Sequence, residues 1–489
     1  MNAPISHVPS LSHREITRIV SGIILAMLLG ALDQTIVATA MPTIGHELGD
    51  EDQVSWIASI YLLTATAITP LYGKLSDIHG RRLILLTAIV IFTIGSVACA
   101  AAPTMFILIT ARAVQGLGGG GLISLAQTII ADIIAPKERG RYQVYIASVF
   151  VMSSLLGPVL GGFFTEHLHW SMIFWINLPL GLAAYMMTSS ALKHLPRHDR
   201  PHDLDILGAV LIVSATVALM LALSFGGLRY PWGSVQILGL LAASALFWGL
   251  FGWRMGTAHE PLIPVELLSN QVVRNGTLSA FFGMGTYIGL TIYMPVFFVS
   301  ISGLSTANSG LALIPLMIGT VIGATLSGRV MLHMVHYKRL PVAGLTGAVL
   351  GVGLLAYAGP SMSLVFIEIL AGLLSVGLGT LLPVTTVAIQ NAVEPHQLGT
   401  ATATANFFRQ LGSALLVAIF GAILLGGSGV ASAEAVHEAL HSEAAATAFR
   451  LIFLAAAAGF ACALIFLLRM NELPLKASAK HAAEAVIAD

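Results

Sequence analysis

Charged side chains are scarce in this sequence. Lys, Arg, Asp and Glu together make up 9% of its 489 residues, where a soluble domain carries about 25%. That scarcity excludes an ordinary water-facing surface. The signs also balance, 23 basic against 23 acidic, which excludes nucleic-acid binding driven by bulk charge. Cysteine is rarer still: Cys99 and Cys462 each lie inside an apolar run, so no disulfide framework is expected. No Walker A string (G-x-x-x-x-G-K followed by Ser or Thr) occurs, which argues against direct use of ATP within this chain. The polar opening MNAPISHVPSLSHREITR is not followed by a short apolar stretch with a small-residue cleavage site. The first apolar segment is therefore expected to stay as a spanning helix.

What the sequence does contain is apolar length. Hydrophobic residues make up 56% and the mean hydropathy is +0.88, the composition of an integral membrane protein. A spanning helix needs about 20 mostly apolar residues, and by that measure fourteen segments are expected. The first six run near 17–41, 54–75, 83–102, 104–130, 142–165 and 171–192, and two more near 205–226 and 234–254. The last six run near 272–300, 307–331, 340–358, 362–390, 399–426 and 446–469. The fold class expected is an all-α bundle of fourteen transmembrane helices.

Lys and Arg set the expected topology, because cytoplasmic loops retain them. One set of loops, with both chain ends, holds nineteen of them, from Arg14 and Arg18 to Arg469, Lys476 and Lys480; the opposite loops hold Arg229 and Arg450. Arg112 and Arg409 remain inside apolar segments. Both termini are thus expected on the cytoplasmic side. The order reads six, two, six: an N-terminal six-helix half (1–192), a linker with an inserted pair (193–256), a second half (257–471) and a tail (472–489). Two similar halves around an insert suggest a carrier built from repeats.

Four motifs add detail. Between the second and third segments stands GKLSDIHGRR, with Gly73, Asp77, Gly80, Arg81 and Arg82. The two glycines allow a tight turn, and Asp77 faces Arg81 and Arg82 across a short loop. The run matches the G-x-L-a-D-r-x-G-r-k signature of the major facilitator superfamily, with Ile78 where that signature is basic. The fourth segment carries ARAVQGLGGGG, with Arg112, Gln115 and Gly116, resembling the superfamily's R-x-x-Q-G motif. Residues 116 to 121 also satisfy G-x-G-x-x-G, but no strand precedes them, which excludes a dinucleotide site. The fifth segment carries SLLGPVLGGFF, with Gly157, Pro158, Gly161 and Gly162. It resembles the antiporter signature G-x-x-x-G-P-x-x-G-G, with Ser153 in the first position. ALDQTIVATAMPTI and, late in the chain, NFFRQLGSALLVAI resemble signatures of the fourteen-helix drug:proton antiporter branch.

Other strings carry less. HEALH, His437 to His441 with Glu438 between, fits the H-E-x-x-H zinc-protease pattern but has no obvious third ligand nearby. His194, His198 and His202 recur every fourth residue, yet Pro196 and Pro201 interrupt any common helical face.

Ionisable groups within the membrane are functional candidates when a partner can be named. Asp33 and Arg112 each lie about eight residues inside one face, roughly 12 Å deep at 1.5 Å per residue. Depth permits a pair but does not set the azimuth; the resemblance places the two helices side by side at the cavity. One reading is an ion pair that fixes helix register. The other makes Asp33 the proton-binding carboxylate, tuned by Arg112, since a neighbouring cation favours the carboxylate and desolvation favours the acid. In the second half, Glu368, Asn406, Phe407, Arg409 and Gln410 are candidates for a mixed polar and aromatic cavity lining.

The resemblance implies proton-coupled export of small amphipathic molecules by alternating access, driven by the proton gradient with no cofactor or metal. The partners implied are the substrate, protons and the lipid bilayer of the inner membrane, with a monomer sufficient. A metabolite carrier of the same superfamily, a channel and a membrane protease are the alternatives.

Overall fold

Fourteen helices long and apolar enough to cross a membrane occur among the described residues, at the places where the apolar runs predict them. The computed structural model describes residues 13–194, 204–227, 229–334, 336–359, 362–427 and 443–476. The helices are α1 (Arg14–Leu48), α2 (Ser55–His79), α3 (Arg81–Ala100), α4 (Met105–Ile133), α5 (Pro136–His167) and α6 (Met172–Ala191). They continue as α7 (Ile206–Phe225), α8 (Val235–Thr257), α9 (Gln271–Ser300), α10 (Asn308–His333) and α11 (Arg339–Ala358). The last three are α12 (Leu364–Asn391), α13 (Pro395–Leu425) and α14 (Ala445–Arg469). Helix α1 runs on past Pro42 to Leu48, and α5 begins six residues before the apolar run, at Pro136, where a missing N–H is harmless. The HEALH string, with His437, Glu438 and His441, and the linker histidines His198 and His202 lie outside the described residues.

Local chemistry explains where helices start and where they break. Thr104, Asp205, Ser234 and Asn270 each cap the helix that follows by accepting a hydrogen bond from one of its first free amides. Among the described residues three spans are interrupted, and each interruption precedes a proline. Helix α6 breaks at Ile176 before Pro179, α10 at Ala312 and Leu313 before Pro315, and α12 at Thr380 before Pro383. In each case the proline supplies no N–H to the carbonyl four residues back.

The chain divides into two compact units. The first comprises Met1–Ala135, Met152–Leu204 and Pro395–Thr400. Within it α4 is packed against both α2 and α3. A Cβ on Gly116 would lie 2.6 Å from the Tyr61 carbonyl oxygen of α2, and one on Gly118 would lie 2.3 Å from the Phe92 nitrogen of α3. Backbones meet directly here, as small residues permit in a membrane.

The second unit comprises Pro136–Val151, Asp205–Glu394 and Ala401–Asp489. Its core holds a knot of Phe297, Phe449 and Phe453, with ring centroids 5.3 Å apart from Phe297 to each of the others. The inserted pair α7 and α8 is joined by Ser244 Oγ donating to the Ala215 carbonyl at 2.9 Å, and by Arg254 Nε to Asp205 Oδ1, also 2.9 Å. Trp248 of α8 meets Phe407 and Phe408 of α13, at 6.1 and 6.4 Å between centroids. Large apolar side chains such as Phe106, Val159, Leu350 and Tyr357 point outward, as a lipid-facing surface requires.

Candidate functional site

Asp33 lies near the middle of α1, fully buried, and four helices converge on it. Arg112 Nη1 of α4 donates to Asp33 Oδ2 at 2.5 Å. Gln115 Nε2, one turn further along α4, donates to Asp33 Oδ1 at 2.8 Å. Asn177 Nδ2 of α6 donates to the same oxygen at 2.9 Å. Ser96 Oγ of α3 accepts from Gln115 Nε2 at 2.6 Å and from Asn177 Nδ2 at 3.2 Å. Arg112 and Gln115 are three apart on one helical face, so α4 delivers both to a single carboxylate.

The guanidinium is held from several sides. Its Nε donates to the Ile57 carbonyl of α2 at 3.0 Å, and its Nη1 also donates to Gln115 Oε1 at 2.6 Å. Its Cζ lies 4.3 Å from the Tyr61 ring centroid and 5.7 Å from that of Phe174, the first a close cation–π contact. An apolar cluster closes one side of the pair. It is built from Ile36, Val37, Ala40 and Ile44 beyond Asp33 on α1, Met105, Leu108 and Ala111 ahead of Arg112 on α4, and Trp170, Ile173 and Phe174. A charged pair so enclosed is kept only by its own complementarity, since no water reaches it to replace a lost partner.

The α2–α3 turn forms a second polar centre. Gly80 has φ +87°, a backbone state that an L side chain rarely adopts. Gly73 is buried and its carbonyl accepts from Ser76 Oγ at 2.8 Å. Arg81 pairs with Asp77, and its Nε donates to Asp132 Oδ2 at the end of α4, at 2.8 Å. Arg82 turns elsewhere and donates from Nε to the Ser189 carbonyl of α6 at 3.1 Å. The expectation that Asp77 faces both arginines therefore holds in the structure for Arg81 alone. The other partners of Asp77 are amides at the start of α13: Gly399 N to Oδ1 at 3.0 Å and Thr400 N to Oδ2 at 2.7 Å, with Thr400 Oγ1 to Oδ2 at 2.6 Å. A carboxylate on a helix N-terminus is favoured by the free amides and the dipole.

In α5, Gly157 and Gly161 face α1: a Cβ at either would lie 2.1 Å from a threonine hydroxyl, Thr35 and Thr39 respectively. Thr35 Oγ1 also donates to the Ser153 carbonyl at 2.7 Å. Gly162 has nothing within 4 Å of its would-be Cβ, and Pro158 is exposed within a continuous helix. Ser153, Gly157 and Gly161 thus serve the contact with the helix that carries Asp33.

The candidates in the second unit differ in burial. Phe407 is fully buried and packs against Trp248. Asn406 is buried too, and its Nδ2 donates to the Thr402 carbonyl one turn back at 3.0 Å. Glu368, Arg409 and Gln410 are half-buried, and among the described residues Glu368 and Arg409 form no ion pair.

Sequence reasoning missed Ser96, Asn177 and Tyr61 at Asp33, and Asp132 and Thr400 at the α2–α3 turn. Uncharged polar residues are common in membrane helices, so nothing marks these until neighbours are known. The one local signal was Asn177, which directly follows the proline-associated break in α6.

Comparison with known proteins agrees with this architecture. The model of the Major Facilitator Superfamily matches residues 23–417. The chain is 36% identical over 405 residues to Multidrug resistance protein 3 of Bacillus subtilis, covering 83% of this chain and 79% of the relative. It is 33% identical over 413 residues to Multidrug transporter protein MdtP of the same organism, covering 84% and 76%. Among solved structures, the human organic anion transporter MFSD10 matches at TM-score 0.65 and 18% identity, covering 91% of this chain and 99% of that one. The proton:xylose symporter XylE matches at TM-score 0.64 and 16% identity, covering 97% and 100%; likenesses at this identity speak to the fold. The chain belongs to the Major Facilitator Superfamily and is a membrane transporter, not an enzyme.

Proposed function

We propose that the protein is a proton-coupled exporter of small amphipathic molecules that works by alternating access. The observation that carries this reading is the buried Asp33–Arg112 pair, in which the carboxylate is 0% and the guanidinium 1% exposed. With Arg112 in place the carboxylate is compensated. Withdrawing the guanidinium in another conformation would leave a bare buried charge, which proton uptake neutralises. Similarity to two transporters named for multidrug resistance or transport supports export of foreign compounds.

The chain ends face the cytoplasm in this reading, and the protein works as a monomer in the inner membrane with no cofactor. The halves 1–192 and 257–471 flank the inserted pair, with 472–489 as a tail. Asp77 and Arg81 act at the inner gate by holding the first turn of α13 in one conformation. Gly157 and Gly161 set the approach of α5 to α1. Glu368, Arg409 and Gln410 contact substrate.

A specific metabolite carrier is the second reading. It is favoured by 33% identity over 425 residues to the vacuolar membrane amino acid uptake transporter fnx2 of Schizosaccharomyces pombe.

The test is dye transport into proteoliposomes under an imposed pH gradient, with ethidium as the probe. Uptake abolished by a protonophore and by Asp33→Asn is the expected result. Full gradient-driven uptake by Asp33→Asn would sink the assignment of Asp33. Transport of amino acids with none of the dye would favour the second reading.

A further inference from the structure

Asn177 keeps an unanswered acceptor beside the Asp33 carboxylate. Its side chain is fully buried, and while Nδ2 donates to Asp33 Oδ1 and Ser96 Oγ, its Oδ1 has no hydrogen-bond partner among the described residues. A buried amide oxygen is nearly always bonded, so an orphan needs a reason.

The neighbours explain why this oxygen matters. An ionised Asp33 needs only donors, and Arg112, Gln115 and Asn177 provide them. A protonated Asp33 needs one acceptor for its new hydroxyl. Arginine has no acceptor to offer. Gln115 Oε1 is taken by Arg112 Nη1 at 2.6 Å and faces Cys99 Sγ at 3.6 Å. Ser96 Oγ already accepts two N–H bonds, which fills its lone pairs. Of the titratable groups packed around the carboxylate, Arg112 on α4 holds Oδ2, Tyr61 on α2 lies against the guanidinium, and Cys99 on α3 is engaged with Gln115. Among the described residues, Asn177 Oδ1 is the buried acceptor beside Asp33 left with no bond to it.

We propose that Asn177 is the positioning residue for proton uptake at Asp33, its amide turning about Cβ–Cγ to offer the NH2 to the carboxylate and Oδ1 to the acid. The inference rests on the reading of Asp33 as the proton carrier. The terminal torsion of asparagine is broad and roughly two-fold, so a half-turn exchanges Oδ1 and Nδ2 in nearly the same envelope. One end of the amide is unanswered in either orientation, so the protonation state of Asp33 decides which end faces it. Gln115 cannot do this, because turning it would forfeit its bond from Arg112.

The test is infrared difference spectroscopy on the full-length protein in lipid, stepped from alkaline to acidic pH, with and without asparagine carrying a heavy-carbon side-chain amide. A carboxylic-acid carbonyl band that is lost in Asp33→Asn is expected on acidification. At the same pH a label-sensitive amide band should shift to lower frequency as Oδ1 gains a hydrogen bond. In Asn177→Leu the Asp33 acid band should move to higher frequency, and Asn177→Ser, whose hydroxyl donates or accepts, should bring it back. An acid band with no accompanying amide shift overturns the role of Asn177, as does an unmoved acid band in Asn177→Leu. Absence of the acid band at every pH instead overturns the reading of Asp33, and this one with it.

Discussion

A methyl group on Gly95 would lie 2.5 Å from the Cα of Gln115. Helices α3 and α4 thus touch backbone to backbone at the residue that bonds Asp33 and Arg112, and the missing side chain at position 95 sets how close Gln115 comes. Gly95→Ala is expected to force α4 outward and to lower stability by about 1–3 kcal/mol, the usual effect of overpacking. Gly162→Ala, with open space around the added methyl, should be neutral or slightly stabilising because alanine favours helix. Thermal unfolding of both variants in detergent checks the contrast; equal loss in the two would refute it.

Removing Arg112 alone leaves a buried carboxylate without its counter-charge. Arg112→Leu should therefore destabilise by about 3–5 kcal/mol, while the double variant Asp33→Asn/Arg112→Leu regains most of that loss. A double-mutant cycle on unfolding in denaturant reads the coupling. Simple additivity of the single effects would mean that the two side chains do not sense each other.

Asp77 holds the first amides of α13, so losing its charge should free them. In Asp77→Asn the amides of Gly399 and Thr400 are expected to exchange hydrogen about tenfold faster, the equivalent of about 1.4 kcal/mol. Thr400→Val, which deletes the hydroxyl bond to Asp77 Oδ2, should give a smaller change in the same direction, about 1 kcal/mol. Exchange mass spectrometry on peptides spanning residue 399 measures both, and unchanged rates in Asp77→Asn would show that the contact restrains nothing.

Outside the membrane, Tyr337 sits in the α10–α11 loop with its hydroxyl donating to the Leu473 carbonyl at 2.9 Å. Burial, followed by the charge of Glu472, pushes its phenol up to about 12. The folded chain thus keeps a proton that the unfolded chain begins to lose near pH 10. Fewer bound protons in the unfolded state mean that stability falls as pH rises, here from about 10 toward about 12. Unfolding midpoints across that range should fall more gently in Tyr337→Phe than in the native chain. Parallel slopes would remove Tyr337 from the account.

The sequence revealed what depends on runs of residues. Fourteen spans follow from apolar length and scarce charge. Asp33 and Arg112 stood out because a charge in an apolar run is conspicuous. Depth along the helices permitted them to pair but could not establish it. Arg82 illustrates the limit: adjacent to Arg81 in sequence, it points about 100° away around the helix and reaches α6 instead of Asp77. Phe407 illustrates it again, since its neighbour Trp248 comes from the inserted pair far away in the chain.

By itself, then, the sequence determined that this chain lives in a membrane as fourteen helices and that α1 and α4 each carry a charge needing an answer. Those are consequences of transferring side chains and backbone into hydrocarbon, which act segment by segment. Only the tertiary structure decided that Ser96, Gln115 and Asn177 close around Asp33, and that one amide oxygen there is left unanswered. Hydrogen bonds between helices depend on azimuth and on approach within about 3 Å. Those distances are set by glycines on one helix meeting the backbone of another, which no single segment contains.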